Sequence, residues 1–161
     1  MSAEYFHVQL RQEVHVAIPV KSTVEVSGHS FEHICPVPGV DPVLLGVVNW
    51  RGHLLWNVDL SDFLGVKADI ADSLPLVSTR ASIVIADGRS HRRLCCWVNR
   101  LVGMMTLTEH QIKPVPKKFP ASVIPYSAGW IKSEIPLLVL DPIAVLDSAR
   151  WHGEIAFSQS A

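Results

Sequence analysis

One stretch of this chain, residues 46–65, carries local signals that agree with one another from end to end. Residues 46–50 form an apolar run rich in β-branched side chains, residues 51–52 supply a turn, and residues 54–58 alternate at strand period. The stretch therefore predicts a β-hairpin with one clearly apolar face, and any fold of this chain has to accommodate it.

The same stretch ends with signals for a short helix. Asp59 stands at an N-cap position, where its carboxylate can accept from backbone N–H groups two and three residues further on. Gly65 stands where a C′ glycine would end a helix of under two turns. The complete unit is predicted to be strand, turn, strand and capped helix.

A second unit with nearly the same spacing lies near the C-terminus. It runs from Gly129 to the capping residue Asp141, and Pro142 follows at the first helical position. The spacing from Gly46 to Asp59 is almost the same as the spacing from Gly129 to Asp141. The chain is therefore predicted to form two related barrel-like lobes.

The remaining sequence contains further short strands separated by turns. Asp41-Pro42 predicts a single helical turn, and Asp87-Gly88 predicts a hairpin turn. The other predicted strands are residues 5–10, 14–20, 24–26, 82–86, 94–98 and 104–107. Many short strands with two or three brief helices predict an all-β fold of two small barrels packed together. Residues 1–148 are predicted to form one domain, followed by a loosely held tail at 149–161.

The charge balance argues against nucleic acid as a partner. The chain has 14 Lys and Arg against 15 Asp and Glu, a formal net charge of -1. The basic spots at residues 91–93 and 117–118 are interpreted as solvated residues. No secretory signal and no apolar run of about 18 residues is present, so we expect a cytoplasmic protein without direct membrane insertion.

Two groups of residues could carry chemistry. His29, His33 and Cys35 lie close together and could hold a metal or small ligand, although no second ligand pair has the familiar spacing. Cys95 or Cys96 could serve an enzyme if its thiol had a depressed pKa. No phosphate loop, nucleophile elbow or zinc-protease motif occurs, so neither an enzyme nor a cofactor is expected.

Arg51 is a charged residue in the turn between the two apolar strands of the central hairpin. A guanidinium in this turn is either a solvated hairpin tip or a polar anchor that faces a partner.

The central stretch resembles the CheW-like domain, the coupling module of bacterial chemosensory systems. The segments that carry the resemblance are residues 34–38, 46–52, 58–60 with Gly65, 94–98 and 107–116. The resemblance implies two SH3-like five-stranded β-barrels around a shared hydrophobic core. It also implies a non-enzymatic adaptor that binds the cytoplasmic tip of a methyl-accepting receptor and the regulatory domain of a CheA-type histidine kinase.

The resemblance also implies which residues bind partners. Asn49, Arg51 and Gly52 match the family's Asn-x-Arg-Gly, and Glu25 matches an acidic position of its partner-binding surface. Asn99, which replaces a common aspartate of the family, completes the predicted set. Trp56-Asn57 departs from the family, which usually has a proline-containing strand there. The sequences at residues 49–52 and 55–60 resemble those of CheW-like proteins in pilus-based motility and phototaxis systems, and the resemblance also implies an association with membrane receptor arrays.

Overall fold

Two five-stranded sheets form the fold in a computed structural model that describes residues 1–28, 33–67 and 80–151. Helix α1 (Leu60–Phe63) follows the fifth strand and α2 (Pro142–Leu146) follows the tenth. The strands are β1 Ser2–Gln9, β2 His15–Pro19, β3 Thr23–Ser27, β4 Leu44–Trp50, β5 His53–Asp59, β6 Ala81–Ala86, β7 Arg93–Val98, β8 Arg100–Thr108, β9 Ser127–Ile131 and β10 Leu137–Leu140. The predicted all-β class with a few short helices is confirmed.

The two sheets share one topology. Lobe A has the strand order β8-β1-β2-β10-β9, and lobe B has the order β3-β6-β7-β5-β4. In each lobe the strand before the capped helix pairs in parallel with a hairpin strand, β10 with β2 and β5 with β7. The two lobes therefore have the same arrangement of strands but a different order along the chain. In lobe A, β1 and β2 take the places that β6 and β7 have in lobe B. The expectation of two related lobes is confirmed.

The glycines that open the two repeated units have the same task. Gly46 has φ +138° and Gly129 has φ +151°, conformations that side chains rarely adopt. A Cβ atom would lie 2.3 Å from the carbonyl oxygen of Cys35 in the first case and 2.7 Å from that of Lys113 in the second. Both positions let a preceding segment approach the strand closely enough to form a backbone bridge.

The largest hydrophobic core lies between the lobes. Phe6 and Val8 of β1 and Leu10, which follows it, point into this core, as their spacing predicts, together with side chains from both sheets. Each lobe also buries a smaller cluster on the opposite face of its sheet. The prediction of one apolar face for β5 is wrong in this respect. Leu55 and Asn57 are buried on the second face, because Leu55 belongs to the smaller cluster of lobe B while Trp56 and Val58 face the shared core.

Two further expectations differ from the structure. Asp41-Pro42 starts a β-turn and no helix: the Leu44 N–H donates to the Asp41 carbonyl, and the Asp41 carboxylate accepts from Val43. At the predicted tail, Trp151 is buried, because its ring packs against Phe63 and its indole N–H donates to a backbone carbonyl of α2. Residues 152–161 lie outside the described part of the chain.

Two arginines join the lobes in opposite directions. Arg11, in the β1–β2 turn of lobe A, forms ion pairs with Asp59 and Asp62 at helix α1 of lobe B. Arg92, in the β6–β7 turn of lobe B, donates at 3.2 Å to the Leu146 carbonyl at the end of α2. Each lobe thus uses the turn of one hairpin to hold the helix of the other, which adds polar links to the shared core.

The Arg11 contact is expected to contribute to stability. Asp59 has only 7% of its side chain exposed, and burial raises its pKa although Arg11 nearby acts to lower it. Arg11→Ala should leave this carboxylate with the helix-cap hydrogen bond from Asp62 and, among the described residues, with the more distant Arg80 at 3.8 Å as its cation. The substitution should lower the free energy of unfolding by about 2 kcal/mol. Urea denaturation at neutral pH measures the change.

Arg150→Ala is the matched control. Its partner Asp41 forms a more exposed pair, so the loss should stay below about 1 kcal/mol. Equal losses in the two variants would show that Arg11 does not act through the buried carboxylate.

Candidate functional site

The tight turn between β4 and β5 is the base of the candidate site. Trp50 pairs with His53 across a two-residue loop, and both loop residues have positive φ, +52° for Arg51 and +82° for Gly52. Positive φ at both positions is the geometry of a type I′ hairpin turn, in which a non-glycine residue is uncommon. The Asn49 side-chain oxygen accepts the Gly52 N–H at 3.1 Å and so closes the turn.

Glu25 connects this turn to the opposite edge of the sheet. It lies on β3, whereas Trp50 lies on β4, and these are the two outer strands of lobe B. One carboxylate oxygen accepts the indole N–H of Trp50 at 2.9 Å, and the other accepts from Arg51 Nη2 at 2.8 Å. The carboxylate therefore draws the two edges together, as closure of a small barrel requires.

Arg51 is held in place and still accessible. Its Cζ atom lies 4.5 Å from the Trp50 ring centroid, which is a cation–π contact, and 61% of its side chain remains exposed. The ion pair and the ring limit the conformations of the guanidinium, but they leave donors free on its outer side. Such a preorganised fork suits carboxylates or carbonyl oxygens of another protein.

The structure brings together four of the five predicted site residues and separates the fifth. Glu25, Asn49, Arg51 and Gly52 lie at one end of lobe B. Asn99 follows β7, which runs parallel to β5, so it lies at the end of the sheet opposite to the turn. Its N–H donates to the Gln9 carbonyl of lobe A.

Trp50 is also part of the site, although it was not among the predicted site residues. It is a core residue, since only 7% of it is exposed. Its indole N–H and its ring nevertheless hold Glu25 and Arg51. Strand alternation can place Trp50 on the inner face, but it cannot show that the strand edge bearing Glu25 comes close.

The candidate cysteines and histidines show neither an activated thiol nor a metal-binding cluster in the described part of the chain. Burial raises the pKa of the Cys95 thiol to about 12 and also raises that of Cys96, which is the opposite of activation. His33 and Cys35 are exposed, and His29 lies outside the described residues. Among residues 1–28, 33–67 and 80–151 no group of three metal-ligating side chains is close enough to hold an ion.

A groove of about 370 Å³ lies on lobe A, away from this site. His7 is on its wall, and a 2.7 Å hydrogen bond joins its Nε2 and the Nδ1 of His15 on the neighbouring strand. Burial, and then the nearby His15 and Arg100, lower the pKa of His7. The groove is lined by His7, Met105, Ser133, Glu134, Ile135 and Leu137.

The lowered pKa predicts a stability that depends on pH. The unfolded chain takes up a proton at His7 near its ordinary value of 6.5, more readily than the folded chain does. The contribution of this histidine is therefore complete above that value and is lost as the pH falls through it. Urea midpoints measured from about pH 7.5 to 5.5 should decline, and His7→Asn should flatten the decline.

His110→Asn is the control, because His110 is exposed on a surface turn. It should leave the slope unchanged. A slope that is the same in the wild type and in His7→Asn would contradict the prediction.

Comparison with known proteins decides the family. The sequence model of the CheW-like domain matches residues 4–150. The chain belongs to the CheW-like domain family. Membership supports its assignment to the scaffold or adaptor class of chemotaxis proteins.

A solved structure agrees with this assignment. The chain is similar to the scaffolding protein TtCheW from Thermoanaerobacter tengcongensis, with a TM-score of 0.70 and 16% sequence identity. The match covers 87% of this chain and 84% of that protein, and it shows a common fold of two SH3-like lobes. Comparison with curated protein sequences found no match. None of the described helices of this CheW-like chain is long and apolar enough to cross a membrane.

Proposed function

We propose that this CheW-like protein is a non-enzymatic, cytoplasmic adaptor that couples methyl-accepting receptors to a CheA-type histidine kinase. The observation that carries the proposal is the exposed Arg51, fixed by Glu25 and Trp50 at the rim of lobe B. Family membership supplies the class of partner, and the geometry supplies a surface that is ready to bind without rearrangement.

The coupling mechanism follows from a rigid two-lobed body. The shared core and the opposing Arg11 and Arg92 contacts hold the lobes together, so different faces can bind the kinase regulatory domain and the receptor hairpin in one fixed relation. A change of receptor state reaches the kinase only if the adaptor makes different contacts in the two states. We place the protein at membrane receptor arrays, through these partners, in a chemotaxis or a pilus-motility or phototaxis system.

Arg51→Glu tests the partner-binding role. Reversing the charge should weaken binding to the receptor hairpin or to the kinase regulatory domain by at least about ten-fold, as expected for a central arginine of an interface. Isothermal titration with both purified partners measures the effect. Arg100→Glu, on the exposed edge of lobe A, is the control and should bind like the wild type.

A double variant separates binding from folding. Glu25→Arg with Arg51→Glu keeps an ion pair between the two edges of lobe B but reverses its direction. If Arg51 contacts a partner, the swap should not restore affinity. Restored affinity would show that the pair only supports the fold, and unchanged binding of both partners by Arg51→Glu would remove Arg51 from the interface.

A further inference from the structure

Arg93 carries a charge that the described residues do not balance. It opens β7, and its Cζ atom lies 5.5 Å from the Trp50 ring centroid. Within residues 1–28, 33–67 and 80–151 its side chain has no hydrogen bond and no ion pair, and its Nε atom is buried without an acceptor. Burying a donor of a charged group without a partner costs free energy, so the arrangement is unfavourable in the isolated protein.

Strand alternation explains how this side chain reaches the site. Arg93, Cys95 and Trp97 point to one face of β7, and Cys95 is part of the small core of lobe B together with Trp50. Arg93 is the first residue of the strand, so its guanidinium emerges where that core ends. Two guanidiniums, from Arg51 and Arg93, therefore contact one indole ring, and Glu25 is the only carboxylate among the described residues shown to bond with either.

The corresponding end of lobe A has a different composition. Cys95 pairs with Asn57 in lobe B, and Ala17 pairs with Val139 in lobe A. Asn57 and Val139 each stand two residues before a capping aspartate, so Ala17 is the equivalent of Cys95. The residue two positions before Ala17 is His15, which takes the place of Arg93 and is bonded to a second histidine. The unbalanced cation therefore belongs to the lobe B end alone and is not a property of the repeated fold.

We propose that Arg93 is a second cationic contact of the partner-binding surface and takes a carboxylate from the helical hairpin of the receptor. This inference rests on the proposed function, and it names the chemistry that the surface selects. Glu25 already accepts from Arg51, whereas the charge of Arg93 has no carboxylate partner among the described residues. The Nε atom of Arg93 is buried, so an incoming Asp or Glu would pair with the terminal nitrogens of its guanidinium, next to the Trp50 ring. The outer face of a solvated helix presents acidic side chains one turn apart, within reach of such a fork.

The test compares three variants in binding to the purified receptor hairpin over a series of salt concentrations. Arg93→Gln keeps the size of the side chain and removes its charge, whereas Arg93→Lys keeps the charge and removes the planar fork. Arg89→Gln is the control, because Arg89 is exposed in the adjacent β6–β7 turn and only its backbone N–H is used there.

Arg93→Gln should weaken receptor binding about ten-fold and make it less dependent on salt, since one charged contact is lost. Arg93→Lys should fall between this variant and the wild type, and Arg89→Gln should match the wild type. In addition, Arg93→Glu should regain affinity when the matching receptor acid is replaced by Lys. Thermal unfolding of Arg93→Gln should occur no lower than in the wild type, because the substitution removes a cation without a partner.

The outcomes separate this inference from the proposed function. If Arg93→Gln binds the receptor like the wild type while Arg51→Glu loses binding, Arg93 is not a contact and the adaptor function stands. If the wild type binds neither receptor nor kinase domain, both proposals fail. Loss of kinase binding with intact receptor binding would overturn the assignment to the receptor, and a lower unfolding temperature with equal losses for both partners would indicate a structural role.

Discussion

Burial of one hydrophobic layer between two sheets is the constraint on which the rest of this structure depends. Each five-stranded sheet places a row of side chains, such as Val8 and Val58, into the layer they share, and the fraction of surface buried rises with the size of the folded unit. The chain crosses from lobe A to lobe B and returns, so lobe B is one continuous segment, whereas lobe A is built from both ends of the chain. The helix contacts of Arg11 and Arg92 then add polar links at two edges of this layer.

The two lobes repeat one plan, yet their open ends differ in chemistry. At the lobe B end, Trp50 closes the barrel and carries Arg51, Arg93 and Glu25 around its ring. At the lobe A end, a groove and a histidine pair occupy the corresponding region. Duplicated architecture thus supplies one rigid body with two unlike surfaces, which is what an adaptor between two different proteins needs.

Much of the fold was predictable because its signals are local. Strand alternation, the capping carboxylates of Asp59 and Asp141 and the repeated glycines all act through neighbouring residues, and the structure confirms each of them. The misjudged features depend on distant parts of the chain. Trp151 looked like part of a polar tail because its partner Phe63 is 88 positions away in the sequence, and the second buried face of β5 exists only once its neighbouring strands have paired.

The sequence by itself determined the class of fold, the two repeated units and the turn that bears Arg51, since periodicity and backbone preference act within a few residues. Only the tertiary structure decided which side chains meet around that turn. Glu25 reaches Trp50 because closure of the sheet brings its two outer strands, β3 and β4, together. Asn99 lies at the opposite end of the sheet from this turn, because β7 runs parallel to β5. Sheet closure and strand direction are long-range outcomes of burying the shared core, so they cannot be predicted from a local sequence pattern.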